Sequence, residues 1–224
     1  MATYFFPSCK LTAGSPDASA RLRAYLAGRW GATPVGCCRT DRTRLTAQDT
    51  ALVACTNCAA ILQESSLAGR VQFAWERMDQ DAAFPFPDYG GEAMAVQDCW
   101  TAVDNPPLMD AVRSLLRKMR LEVVELPENR GQTRYCGVKL TSPCLADNAR
   151  LAPRRYGERG AGLFTPLPPD AQAAYFKDYC RRIPTARAAC YCGSCKAGLD
   201  LGGVAGVHLL DLLFPSPSPT TKEV

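Results

Sequence analysis

The chain has 224 residues, 47% of them apolar and 21% charged, the balance of a folded globular protein rather than a disordered, collagen-like or coiled-coil one. Its net charge of +4 is a mild excess that no basic run or aromatic-basic stripe concentrates, so nucleic-acid binding is not suggested. Twelve cysteines against one histidine is the count furthest from average.

Reading from the start, Met1 to Pro7 has no charged lead and no long apolar stretch before a small-residue cleavage site, so no secretory signal is expected. Tyr4-Phe5-Phe6 reads as a strand, followed by Pro7-Ser8-Cys9. Ser15-Pro16 resembles an N-cap with proline at the first helical position, and Leu22, Tyr25 and Leu26 share a face of a helix ending near Gly28. Val35-Gly36-Cys37-Cys38 follows, then a short buried strand at Leu52-Val53-Ala54. Cys55-Thr56-Asn57-Cys58 turns from that strand into a helix carrying Ile61 and Leu62. Val71 to Trp75 alternates as a strand does, and Phe84 to Gly91 reads as a linker.

The order of elements then begins again. Ala93 to Val96 is strand-like and leads to Asp98-Cys99-Trp100. Asn105-Pro106-Pro107 starts a helix with Leu108, Val112, Leu115, Leu116 and Met119 on one face. Leu121 to Leu126 is the next strand, followed by Tyr135-Cys136-Gly137. The stretch Arg150 to Pro169, rich in Pro, Gly and Arg, reads as a long surface excursion. Cys190-Tyr191-Cys192-Gly193-Ser194-Cys195 comes next, and a final helix is expected around Val207 to Leu213. The most apolar stretch, Leu199 to Phe214, is too short to span a bilayer and carries Asp200, His208 and Asp211.

Strands alternating with helices predict an α/β fold of two pseudo-repeated, Rossmann-like halves with largely parallel sheets, and sites in loops at the carboxyl ends of strands. The expected organisation is a first cysteine-rich half at 1–83, a linker at 84–92, a second half at 93–214 and a disordered tail at 215–224. With no export signal and a chain long enough to bury a core, a cytoplasmic protein without membrane insertion is expected, its thiols reduced. Clustered cysteines then read as metal ligands or catalytic groups rather than a disulfide scaffold.

In the first half these are Cys9, Cys37, Cys38, Cys55 and Cys58; in the second, Cys99, Cys136, Cys192 and Cys195. Iron-sulfur clusters need thiolates converging from several loops, and a Cys-x-x-Cys at a helix start aims two sulfurs at one point, where backbone N-H groups favour the thiolate. Lys10, Arg39 and Lys196 stand next to these cysteines and offset negative charge if they face it. A structural zinc ribbon is the competing reading, and a thioredoxin-type dithiol a weaker one.

The chain resembles the cysteine-rich CCG-domain family typified by the cysteine-rich subunit of heterodisulfide reductase. The residues that carry the likeness are Phe6-Pro7-Ser8-Cys9, Gly36-Cys37-Cys38-Arg39, Cys55-Thr56-Asn57-Cys58-Ala59, Asp98-Cys99, Tyr135-Cys136-Gly137, Cys192-Gly193-Ser194-Cys195 and His208 to Leu213. The resemblance implies a 4Fe-4S cluster, of the noncubane type, bound in the first half by Cys9, Cys37, Cys38, Cys55 and Cys58. It also implies reduction of a small disulfide or thiol-related substrate there, with electrons from a ferredoxin-like or other donor protein. The first motif keeps all its cysteines, with a shorter second gap than the family's. The second has Tyr135 where one of the paired cysteines would stand. Its four thiolates suffice for a cubane 4Fe-4S cluster or a tetrahedral zinc ion.

Outside both sets, Cys144, Cys180 and Cys190 read as core or idle thiols, with Cys144 a candidate fifth ligand or redox-active thiol. His208 reads as a structural histidine, and Tyr135 and Trp100 as packing. There is no ferredoxin-type cysteine run and no glycine-rich nucleotide loop, so a reductase would draw its electrons from a separate protein. A non-enzymatic metal-stabilised scaffold or electron-transfer module, or a cluster carrier, is the alternative.

Overall fold

The computed structural model describes residues 1–216. Its backbone is α/β, with two four-stranded sheets that are parallel throughout and flanked by helices. The first sheet contains β1 (Thr3–Phe6), β2 (Thr33–Pro34), β3 (Thr50–Val53) and β4 (Arg70–Phe73) in the order β2-β1-β3-β4. The second contains β5 (Ala93–Gln97), β6 (Glu122–Glu125), β7 (Arg187–Cys190) and β8 (Ala205–His208) in the order β6-β5-β7-β8. The two orders are one topology used twice. The winding direction reverses between the first and third strand of each set, the switch point where parallel sheets leave a crevice beyond their carboxyl ends.

Helices follow the strands. In the first half they are α1 (Cys9–Gly14), α2 (Pro16–Trp30), α3 (Thr56–Ser65) and α4 (Ala74–Asp79). The second has α5 (Pro106–Lys118), α6 (Ala146–Leu151), α7 (Pro169–Cys180), α8 (Gly193–Leu201) and α9 (Leu209–Leu213). The inner strands β1, β3, β5 and β7 are short and largely buried: Phe5, Phe6, Ala51, Leu52 and Val53 in the first sheet, Met94, Ala95, Val96, Ala188 and Ala189 in the second. α5 shows how local chemistry sets a boundary. The Asn105 side chain accepts from the Leu108 N-H at 3.2 Å, proline fills the first turn, and Arg117 and Lys118 meet the negative end of the helix dipole.

The halves are stitched together. α4 packs on α5, and α9, from the end of the chain, packs on α2. The Phe84–Gly91 connection has no regular structure but is held down: Phe84 is buried, its ring 5.0 Å from that of Tyr25, and the Tyr89 hydroxyl donates to the Leu212 carbonyl at 2.9 Å.

Several boundaries differ from the sequence expectation. The strand expected at Val71–Trp75 ends at Phe73, because Glu76 reaches back to the Phe73 N-H at 3.0 Å and starts α4. The helix expected to stop near Gly28 runs to Trp30, where Gly31 takes the left-handed cap at φ 62°. Ser15 precedes that helix without a side-chain capping bond. The closing Val207–Leu213 segment is not one helix: residues to His208 complete β8, and α9 begins at Leu209. The Arg150–Pro169 excursion is anchored, its π-helical turn at Arg154–Glu158 burying Arg155 and Tyr156. At the start of the expected tail, Arg21 donates to the Pro215 carbonyl at 2.8 Å; positions 217–224 lie outside the described residues.

Candidate metal centre

Each cysteine group is built at a sheet's carboxyl edge. Cys9 opens α1, directly after β1, and the preceding Ser8 takes a left-handed φ of 73° that turns the chain sharply into the helix. Cys37 and Cys38 lie in the loop after β2. Cys55 is the residue before α3 and Cys58 lies in its first turn, so both sulfurs sit where α3 presents unpaired N-H groups. Cys192 and Cys195 repeat this at α8, and Cys99 follows β5.

The thiols of the first half converge on a cavity of about 110 Å³ lined by Cys9, Cys37, Cys38, Cys55 and Cys58, which Cys192 of the second half also borders. Cys58 stands in the middle of the first group. Its hydrogen bonds with Cys38 and Cys55 hold its own thiol protonated, raising it well above the ordinary value. The same bond from Cys58 is the main cause that lowers Cys38, and it brings Cys55 down to about 6. Cys9 is pushed up, by burial first and by the adjoining Cys37 second.

The second group is tighter. The sulfurs of Cys99, Cys192 and Cys195 all lie within 4.8 Å of one another, and all three residues are buried. Cys136 adjoins Cys99, whose hydrogen bond lowers it. Cys195 is raised well above the ordinary value by burial first. At Cys192 the bond with Cys195 acts downward, but Cys99 and burial outweigh it and leave the thiol raised. Hydroxyls flank the sulfurs, Thr101 at 3.3 Å from Cys136 and Thr56, from the other half, at 3.6 Å from Cys99. No disulfide joins any of the twelve cysteines.

The backbone explains the Cys136-Gly137 pair. Gly137 has φ 57°, and a β-carbon there would collide with the Ser194 carbonyl inside the Cys192-x-x-Cys195 turn. Glycine at this point lets the two segments of the second group approach. Behind Cys99, Arg113 is fully buried between Asp98, at 2.7 Å, and Glu125, at 2.6 Å. Tyr191 donates to Asp98 at 2.9 Å and accepts from the Cys99 N-H at 3.2 Å, which ties Cys99 to the residue preceding Cys192.

Of the three cations expected beside the thiols, Lys10 and Arg39 line the cavity, with Arg39 donating to Asn148 at 3.0 Å. Lys196 instead pairs with Asp200 at 2.7 Å. The cation that faces both groups is Lys139, three residues past Cys136. Its ammonium donates to Asn57 at 3.1 Å and to the Tyr156 hydroxyl at 3.2 Å. Burial acts to lower it, but Tyr156, Cys136, Cys192 and Cys55 outweigh that and raise it well above the ordinary lysine value. The sequence reading did not single out Lys139, Asn148 or Tyr156, nor give Asn57 a role of its own. The one signal in the sequence was the position of Lys139 on the turn that Cys136 begins.

The remaining candidates fall into place. Cys180 and Cys190 are buried against the Leu199 and Val207 carbonyls, as core thiols. Cys144 is exposed on the wall of an adjoining cavity of about 240 Å³, which shares Lys10, Lys139, Leu145 and Asn148 with the first. His208 lines the thiol cavity but spends Nδ1 on the Leu210 N-H at 3.1 Å, and burial lowers it to about 4. Tyr135 stacks on Tyr179 and donates to the Cys195 carbonyl at 3.4 Å, so its hydroxyl holds backbone. Trp100 packs against Phe164. No described helix is long and apolar enough to cross a membrane.

Compared with models of known families, with curated proteins and with solved structures, the chain has no significant match.

The donor chemistry fits thiolate-bound metal. Four sulfurs around one tetrahedral ion at about 2.3 Å stand about 3.8 Å apart; the structure brings three of the expected four, Cys99, Cys192 and Cys195, within 4.8 Å of one another and leaves Cys136 outside that set. The first group is different: five thiols border an open volume, the room that an inorganic cluster needs.

Proposed function

We propose that the protein is an iron-sulfur oxidoreductase of the heterodisulfide reductase kind. On this reading Cys9, Cys37, Cys38, Cys55 and Cys58 hold a 4Fe-4S cluster, and Cys99, Cys136, Cys192 and Cys195 hold a second metal, zinc or a second cluster. The observation that carries the reading is the meeting of five thiols from three separate loops around one cavity, beside a second, closed cysteine group. The reaction adds two electrons and two protons to a small disulfide and yields two thiols, with the electrons delivered by a ferredoxin-like donor protein. A cluster held by these cysteines would supply one-electron redox chemistry and iron with an affinity for sulfur.

The chain's own residues do the rest. Cys9 is exposed and Cys37 half-buried, so the first group opens to solvent on their side. Lys10 and Arg39 put positive charge at that opening, which favours a thiolate product and an anionic partner. The adjoining 240 Å³ cavity, lined by Pro143, Leu145, Tyr156 and Phe164, offers an apolar wall for the substrate's organic part.

A second reading has its own support. The close packing of Cys99, Cys192 and Cys195 suits a zinc ion that holds the fold, as in a scaffold protein. One preparation separates the two. Anaerobically purified protein is expected to contain iron and acid-labile sulfide, with visible absorption that bleaches on reduction, and to reduce a small disulfide from a one-electron donor dye. Colourless protein with stoichiometric zinc at both groups overturns the oxidoreductase.

A further inference from the structure

Lys139 carries its charged end to a cavity lined by cysteines of both halves. It lies on the 3-10 turn Gly137–Lys139 that follows Cys136 of the second group. Its ammonium reaches across to Asn57, inside the Cys55-x-x-Cys58 turn of the first group, and lines the cavity with Cys55, Cys58 and Cys192. Its contacts there are neutral. The Asn57 oxygen accepts at 3.1 Å, the Tyr156 hydroxyl accepts at 3.2 Å while donating to the same Asn57 oxygen at 2.6 Å, and the Tyr156 ring centroid lies 5.3 Å away. Fifteen lysine or arginine pairs with carboxylates occur among the described residues, and Lys139 is in none of them. Lys139 is half-buried, and a cation partly shielded from water among neutral groups is stabilised by an anion in the group it faces.

Thiolate centres provide that anion. A divalent ion within four thiolates carries a net double negative charge, and a cluster held by five thiolates is also anionic. Neutral thiols without metal carry none. We propose that Lys139 is a positioning residue shared by both cysteine groups, its ammonium the common counter-charge for the centres on either side and its bond to Asn57 the brace of the Cys55-x-x-Cys58 turn. The inference rests on the reading of both groups as thiolate-bound metal centres. It adds that they are electrostatically joined through one side chain, so that neither is held independently of it.

The test follows metal release from the anaerobically purified full chain into excess chelator, with each release phase assigned through Cys58→Ser and Cys195→Ser. Lys139→Gln keeps a donor for Asn57 but loses the charge, and is expected to speed release from both groups by about fivefold or more. Lys139→Arg keeps the charge and is expected to hold release from both groups near the wild-type rate. Lys139→Met takes the place of Lys139→Gln if that variant fails to fold, judged by circular dichroism. Acceleration at one group only, at neither, or equally in the Arg variant overturns the shared counter-charge. Wild-type protein that carries metal at fewer than two groups overturns the underlying reading instead.

Discussion

Arg113 shows what one buried charge does for the site at a distance. It is shielded from water between Asp98 and Glu125, and Asp98 in turn accepts from Tyr191 and, at 2.6 Å, from the Arg130 N-H. Arg113→Met leaves the Asp98 carboxylate buried without its counter-ion. It is expected to cost about 3–5 kcal/mol, measured by denaturant unfolding. The Arg113–Glu125 pair gives an acid limb to the stability curve. Arg113 holds the Glu125 carboxyl below its ordinary value of 4.5, so its contribution is present above that pH and lost as pH falls through the lowered folded-state value. Glu125→Gln is therefore expected to flatten the loss of stability on acidification below about pH 4.5; an unchanged acid limb contradicts this.

At the scale of elements, the turns that carry cysteines are set by their neighbours' backbones. Gly137→Ala forces a β-carbon onto the Ser194 carbonyl in a left-handed conformation. Metal is expected to leave the second group while the first keeps its own, read by metal analysis per chain, together with a lower Tm. Equal metal content in variant and wild type contradicts the role given to this glycine.

The elements also show what could be read beforehand. The alternation of buried strands and helices and the restart after Gly91 were legible, because parallel strands are short apolar runs and Asn105-Pro106 is a strong helix start. The small errors came where a side chain acts on backbone three residues away, as Glu76 does on Phe73, or where a strand passes straight into a helix, as at His208-Leu209. The nearness of Cys192 and Cys195 was legible from Cys-x-x-Cys spacing at a helix start. Lys139 and Tyr156 were not, since a lysine or tyrosine in a loop carries no local mark of what it will face. Only the fold brings Arg154–Glu158 back over the cavity.

For the whole molecule, the repeated sheet topology places two cysteine groups at two carboxyl edges and brings them into contact, with Cys192 of the second half lining the cavity of the first. Cys37→Ser removes a thiol that borders the first cavity on the half-buried side and is remote in sequence from the second group. It is expected to alter the spectrum of the first centre while the second keeps its metal; a variant that empties both shows that they form one site. The most direct test uses the two exposed thiols as internal controls. Cys9 and Cys144 are both open to solvent, but only Cys9 borders the thiol cavity. In anaerobic, metal-loaded protein treated briefly with an alkylating agent and mapped by mass spectrometry, Cys144 should be modified and Cys9 protected. After oxidative removal of the metal, followed by reduction, both should be modified. Equal labelling of Cys9 and Cys144 in the loaded protein, or cystine-linked peptides from the cavity cysteines, would contradict the metal centre.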